Sequence, residues 1–205
     1  MLPSMEFQDV VRRRRMVRNF DSRPLPPELA ERVVANALRA PSAGFTQGTE
    51  VLVLQGTDQT SRYWDTCFPA AARSGFRWPG VLRAPLLLVF FANAEAYIDR
   101  YSEPDKGRIG ETRAVRDPSR WPAAYWDVDA AFASMLALLT AVDAGLGALF
   151  FAVSRPDDLR SEFGIPDRFR PIGTVAVGFP LPHAPSSSLA RGRRPPSEVV
   201  HRGRW

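Results

Sequence analysis

Apolar residues recur along the chain in two different rhythms, one helical and one strand-like. Phe7, Val10 and Val11 lie at i, i+3 and i+4. Glu6–Arg15 therefore reads as a helix, with arginines in its last turn, where cations complement the helix dipole. Leu29, Val33, Ala37 and Leu38 form one stripe over Glu28–Arg39, a second amphipathic helix. Ser61–Arg73 has a weaker helical pattern. The clearest helix is Asp127–Gly145. Its residues Val128, Phe132, Met135, Leu139 and Val142, continued by Leu146, recur at steps of four and three, with Ala131, Ala133, Ala137, Ala141 and Ala144 between them. Apolar and small surfaces on several sides predict burial on more than one side and close approach to a neighbouring helix. Pro156–Phe163 is a short helix, with Ser154 as its cap and Asp157 and Asp158 in the first turn.

Strand signals lie between these helices. Glu50–Gln55 is bounded by Gly56, and Pro85–Ala92 is apolar at consecutive positions, as in a strand covered on both faces. Ala148–Val153 is a strand or an extended run, Arg170–Phe179 contains another strand, and Glu198–His201 has the pattern of a short terminal one. From Asn93 to Trp126 no period holds. The segment is rich in Tyr, Trp, Pro and charge, and reads as a long excursion of the kind used for lids or binding segments. There is no internal repeat and no second composition regime. The element order gives a single domain over residues 1–205, α+β or mixed α/β.

At 205 residues the chain can bury a core without disulfides or metal. Cys67 is the sole cysteine, which excludes an intrachain disulfide and suits the cytoplasm. One Cys and two His leave little for a soft-metal site, so no metal is expected. No apolar run approaches bilayer-spanning length, and Met1–Val11 lacks the apolar block of a signal peptide, so no membrane is expected.

The net charge is +5, and Lys106 is the only lysine. Biased composition accounts for the general excess of arginine. Locally, arginine is preferred where a planar fork of donors must hold a phosphate. Two clusters qualify, Arg12–Arg18 and Arg191–Arg194, at opposite ends of the chain. Each is a solvated face, a nucleic-acid patch or half of a phosphate site. The first runs straight into Phe20 and a proline-rich turn, and the second is followed by Pro195 and Pro196, which hold the chain extended. Both ends can meet on one phosphate. No nucleic-acid reading motif accompanies them, so nucleic acid is not expected.

The run Ala40–Gly48 has the Pro, Ser and Gly of a plain loop. The same small residues and open N–H groups suit a flat ligand lying close to the backbone, with Gln47 offering both donor and acceptor to a pyrimidine edge. Gly145 and Gly147 follow a helix and precede a strand, which is a helix stop and not a dinucleotide fingerprint. His183 and His201 lie outside the structured core, so no catalytic triad is expected. Asp127 and Asp129 begin a helix, where the dipole is reason enough for them. The aromatics Trp78, Tyr97, Tyr101, Trp121, Tyr125 and Trp126 either wall a pocket or pack the long excursion and a dimer.

Four landmarks in order resemble the nitroreductase family. Arg14-Arg15-Met16-Val17-Arg18-Asn19-Phe20 is similar to its N-terminal Arg-Arg-Ser-x-Arg-x-Phe motif, followed at family spacing by Pro24-Leu25-Pro26. Ala40-Pro41-Ser42-Ala43 with Gln47 resembles its Ala-Pro-Ser-x-x-Asn-x-Gln-Pro. The helix ending Ala144-Gly145-Leu146-Gly147 resembles its Gly-Leu-Gly helix, and Arg193-Arg194-Pro195-Pro196-Ser197-Glu198-Val199-Val200 resembles its closing Arg-Arg-Pro-Leu-x-Glu-Val-Val.

The resemblance implies a nitroreductase-like α+β fold: a mixed or antiparallel sheet flanked by helices, a long central dimer helix, and a C-terminal arm (186–205) reaching onto the partner. It implies FMN at the interface of a homodimer, NADH or NADPH as donor, and a small flat conjugated substrate reduced in ping-pong fashion. Arg14, Arg15, Arg18, Arg191 and Arg193 would hold the phosphate and the ring's polar edge. Met16 stands where a Ser is usual. Pro41, Ser42, Ala43, Phe45 and Gln47 would come from the partner subunit, with Phe45 in place of Asn and Gly48 in place of Pro. Backbone N–H groups near Ala152 and Val153 would face the ring, and Phe45, Trp78, Tyr101, Tyr125 and Trp126 would contact substrate. No side chain of this chain is expected to be catalytic, because the chemistry belongs to the cofactor. Azoline oxidation, dehalogenation, flavin destruction, and non-catalytic binding of flavin or deazaflavin are the alternatives.

Overall fold

The computed structural model describes residues 5–109 and 117–205; residues 110–116 of the excursion lie outside the described residues. The elements run α1 (Phe7–Arg13), α2 (Pro27–Ala37), β1 (Thr49–Gln55), α3 (Thr57–Cys67), α4 (Ala70–Arg73), β2 (Leu86–Ala92), α5 (Ala94–Tyr101), α6 (Tyr125–Asp143), β3 (Gly147–Phe151), α7 (Pro156–Phe163), β4 (Arg170–Gly178) and α8 (Pro196–Val199).

The strands form one sheet in the order β1-β2-β4-β3, with every neighbouring pair antiparallel. The fold is α+β, and its sheet is antiparallel, not mixed. β2 is buried along its whole length because both faces are covered. Leu86, Leu88 and Phe90 pack with α2 and α6 on one face, while Leu87, Val89 and Phe91 pack with α3 and α7 on the other. This is the period-2 alternation of a strand read out as two half-cores.

Helix α6 turns its small residues inward. Ala130, Ala133, Ala137 and Ala141 are buried, whereas Val128, Phe132 and Met135 are 38%, 46% and 46% exposed. Alanines allow α6 to lie close against the sheet and α2, and the larger stripe is left on the outside of the domain. By length and composition α6 resembles a bilayer-crossing helix, which the sequence reading did not anticipate; 56% of its most apolar window is buried inside the domain.

Several sequence expectations are corrected. α1 stops at Arg13, so Arg14 and Arg15 are extended and not helical. Ser61–Arg73 is two helices, interrupted at Phe68-Pro69, because proline cannot continue a helix that precedes it. Ser154 does not cap α7: its hydroxyl donates to the Cys67 carbonyl, and Arg155 occupies the cap position. Glu198–His201 adds no strand, since Pro196–Val199 is a helical turn.

Candidate functional site

The arginine run acquires its geometry from the edge of the sheet. After α1 the chain extends beside β3: Val17 N–H donates to the Ala148 carbonyl at 2.9 Å, and Met16 bridges Ala148 in parallel. Val17 packs so tightly on Gly147 that a Cβ there would lie 2.8 Å from its Cγ2. In an extended chain side chains alternate, so Arg14, Met16 and Arg18 share the side away from Val17. The segment is fastened further on, where Asp21 N–H donates to the Phe179 carbonyl and Leu181 N–H to the Asn19 carbonyl, each at 2.9 Å.

Arg14, Arg15, Met16 and Arg18 line one wall of a cavity of about 610 Å³, and the C-terminal tail supplies the other wall with His183, Ser186, Ser188 and Arg193. The two arginine clusters thus meet within a single chain. Arg193 faces this cavity; Arg191 does not line it, and Arg194 pairs with Glu198 at 3.3 Å. Many arginines elsewhere have a carboxylate partner, as in Arg100 with Asp105 or Arg160 with Asp157, while others, such as Arg39 and Arg168, have none. Among the described residues, Arg14, Arg15, Arg18 and Arg193 have none. Four uncompensated guanidinium groups around one cavity favour an anion there, and a phosphate matches their forked donors.

Arg18 also lines a second cavity, of about 350 Å³, walled by aromatic residues including Trp64, Phe68, Phe76, Trp78 and Phe151. Its guanidinium lies 5.0 Å over the Trp78 ring. Trp64 stacks on Phe151 with centroids 5.5 Å apart. Ala152 borders the same cavity, while Val153 is half-buried against the neighbouring core. Burial holds the Cys67 thiol protonated, with its pKa raised to about 11. Tyr63 is raised above its ordinary value by burial as well. The sequence reading picked out Trp78 and Ala152 but passed over Trp64, Cys67 and Phe151, which lie on α3 and β3 and look like ordinary core positions.

The loop from Pro41 to Gln47 is built differently. Pro41, Ser42 and Gln47 border a separate recess of about 180 Å³ against Ala133 of α6. Within this chain, therefore, the loop does not share a cavity with the arginines. Phe45 and Gln47 are non-glycine residues at φ 55° and 54°, and Phe45 is 75% exposed. Such backbone is strained and persists only where its surroundings enforce it. Here Ala43 N–H donates to Asp129 at 2.8 Å, Arg100 donates to the Gly44 carbonyl at 2.9 Å, and Gln47 N–H donates to the Ser42 hydroxyl at 2.9 Å. Asp129 is therefore a buried anchor, 4% exposed, and not merely a residue complementing a helix dipole. Asp127 in the first turn of α6 pairs with Arg170. Gly48 also has a physical reason: a Cβ there would lie 2.6 Å from Tyr97 Cε2, so any side chain would have to displace the buried ring.

Tyr101, Tyr125 and Trp126 gather with Tyr97 and Trp121 in an aromatic cluster away from Trp78; Trp126 is 8% exposed, and Tyr101 lies 5.0 Å from Trp121. The structure thus divides the aromatic candidates into two groups.

The domain is thus antiparallel α+β, with an arginine-lined cavity at its sheet edge and an aromatic cavity beside it. The chain belongs to the nitroreductase family, whose profile matches residues 11–179. A relative from Thermus thermophilus named NADH dehydrogenase is 28% identical over 194 residues, covering 87% of this chain and 89% of its own. The fold is shared with a nitroreductase family protein from Clostridium difficile at a TM-score of 0.72 and 21% identity, over 98% of this chain and 100% of that one. It is shared equally with a protein of Exiguobacterium sibiricum described as a nitroreductase in complex with FMN, at a TM-score of 0.72 and 19% identity, over 97% and 98% of the two chains.

Proposed function

We propose that the chain is an FMN-dependent oxidoreductase that takes electrons from NADH or NADPH and reduces a flat, electron-poor acceptor of nitroaromatic or quinone type, acting as a homodimer. The observation that carries this reading is Arg18, which lines both the basic and the aromatic cavity. One phosphorylated aromatic ligand can lie across it, with phosphate among Arg14, Arg15 and Arg193 and ring beyond. FMN fits that division, and no fingerprint for a second, adenosine-bearing half accompanies it. The names of the Thermus and Exiguobacterium proteins agree with it.

The chemistry that FMN supplies at such a site is two-electron transfer, first from the nicotinamide and then to the acceptor, in ping-pong order. The chain's own contribution is placement. Arg14, Arg15, Arg18 and Arg193 hold charge, and the backbone beside Ala152 and Val153 offers amides to the ring. Val128, Phe132 and Met135 form an exposed apolar stripe suited to a symmetric partner. Across that interface the Pro41–Gln47 loop of a second copy would complete the site, with Phe45 as its aromatic contact.

A yellow protein whose melting temperature rises with FMN, and which oxidises NADH or NADPH in the presence of menadione, is the expected result. Colourless protein with no response to FMN overturns the reading. Tight FMN binding with no turnover on any acceptor would favour a non-catalytic flavin binder, the alternative suited by Met16 in place of a hydroxyl.

A further inference from the structure

The loop that displays Phe45 lies under the segment that follows α5. Gly44 has φ 64°, and a Cβ there would lie 2.8 Å from Tyr101 Cε2 and 3.1 Å from Lys106 Nζ. A side chain at this position would push both away, so the glycine lets a tyrosine ring and an ammonium rest directly on the loop backbone. Phe45, the next residue, is 75% exposed. The ammonium lies 5.0 Å over the Tyr101 ring, which meets Trp121 edge-on at 5.0 Å. An open aromatic ring and a positioned cation therefore flank the same glycine.

Lys106 is half-buried, and the carboxylates around it are committed elsewhere. Asp105 accepts two bonds from Arg100, each of 2.7 Å, and Glu103 accepts one of 2.9 Å. Asp129 is buried and accepts from Tyr97 and Ala43. Among the described residues the ammonium makes no ion pair, and its contact is with the face of Tyr101. Arg100 and Lys106 together balance Glu103 and Asp105. Attraction for an anion would thus come from direct contact with the ammonium's open donors, not from a field acting at a distance.

We propose that Lys106 is a specificity-determining residue for the acceptor, receiving an anionic substituent, such as a carboxylate, on the flat ring that Phe45 contacts. The inference deepens the functional reading above and rests on it: the loop of one copy completes the flavin site of the other, and Lys106 travels with that loop. An aromatic carboxylate matches the pair, with its ring on Phe45 and its charge on the ammonium.

The test uses the FMN-loaded full chain, NADH as donor, and two acceptors of similar shape and different charge, 4-nitrobenzoate and 4-nitrobenzamide. Lys106→Gln should raise the KM for the nitrobenzoate relative to the nitrobenzamide by about three- to fivefold, the worth of a partly exposed charge contact, and leave the ratio of their kcat values unmoved. Lys106→Arg should keep the wild-type KM ratio. Because Lys106 is the only lysine, isotope-labelled lysine gives a single side-chain signal in the wild-type protein. That signal should move with 4-nitrobenzoate and much less with 4-nitrobenzamide, a measurement that requires no variant to fold. A KM ratio unchanged in Lys106→Gln, or a lysine signal indifferent to 4-nitrobenzoate, overturns the inference while NADH oxidation with menadione stands. A raised KM for NADPH alone, with the acceptor constants unmoved, would assign the ammonium to the donor's extra phosphate and overturns it as well. Wild-type protein that oxidises neither NADH nor NADPH with menadione overturns the functional reading, and this inference with it.

Discussion

The hydroxyl of Tyr97 donates to Asp129 Oδ2 at 2.6 Å, and the same oxygen accepts the Ala43 N–H. One buried carboxylate thereby ties α5, α6 and the loop that displays Phe45. Replacing Asp129 with Ala leaves two buried donors unpaired, so a loss of about 2–5 kcal/mol is expected, with a smaller loss for Tyr97→Phe, which removes only one bond. Urea denaturation of the variants measures both. Two variants indistinguishable from wild type would show that the loop is held by something else.

Gly48→Ala brings a Cβ against the Tyr97 ring and should destabilise by about 1–3 kcal/mol. Because the cost comes mainly from one ring, with the Asn93 carbonyl at 3.3 Å the lesser contact, most of it should vanish when Tyr97 is cut back to Ala. A double-mutant cycle tests this, and strictly additive losses would contradict it.

Arg14→Ala and Arg193→Ala should each weaken FMN binding by about ten- to a hundredfold, the worth of a charge-assisted hydrogen bond. Arg191→Ala should leave affinity near wild type, because Arg191 does not line the cavity. Fluorescence titration distinguishes the three; an Arg191 variant as impaired as the Arg193 one would reassign the tail.

Placing a charge on the exposed stripe of α6, as in Phe132→Glu, should break the proposed dimer. Light scattering would then report one chain mass, 22.8 kDa, in place of twice that value. A wild-type protein already monomeric at micromolar concentration would refute the interface.

Cys67 carries the pH prediction. Its folded-state pKa is raised from 9.0 to about 11 by burial. The folded state holds the thiol proton more tightly than the unfolded one, so the contribution is complete below pH 9.0 and is lost as pH rises towards about 11. Stability should fall across that alkaline window, less steeply in Cys67→Ala. At neutral pH the native thiol should resist alkylation, because the thiolate is the reactive form.

The sheet was the most legible part of the chain. The runs over Glu50–Gln55 and Pro85–Ala92 match β1 and β2 within a residue, because both depend on a local apolar pattern. The antiparallel order was not readable, since pairing is a property of distant segments. The arginine clusters could be seen as candidates, but their meeting depends on Val17 lying against Gly147. Trp64 remained hidden because a buried indole on a helix looks like core until the cavity it borders is seen. Asp129 was misjudged for a related reason: its partners, Ala43 and Tyr97, lie far from it in the chain.

The bridge between Phe20 and Pro180 has a consequence for synthesis. The arginines of the first wall emerge from the ribosome before the edge they rest on, and before the segment that carries Arg193. Chains are built at about 5–20 residues per second, so for roughly ten to thirty-five seconds the basic segment exists without its opposite wall. A ligand held between the two walls can therefore be captured only after Arg193 has been made, and a chain cut short before it would leave the ribosome with an exposed cationic strand and half a binding site.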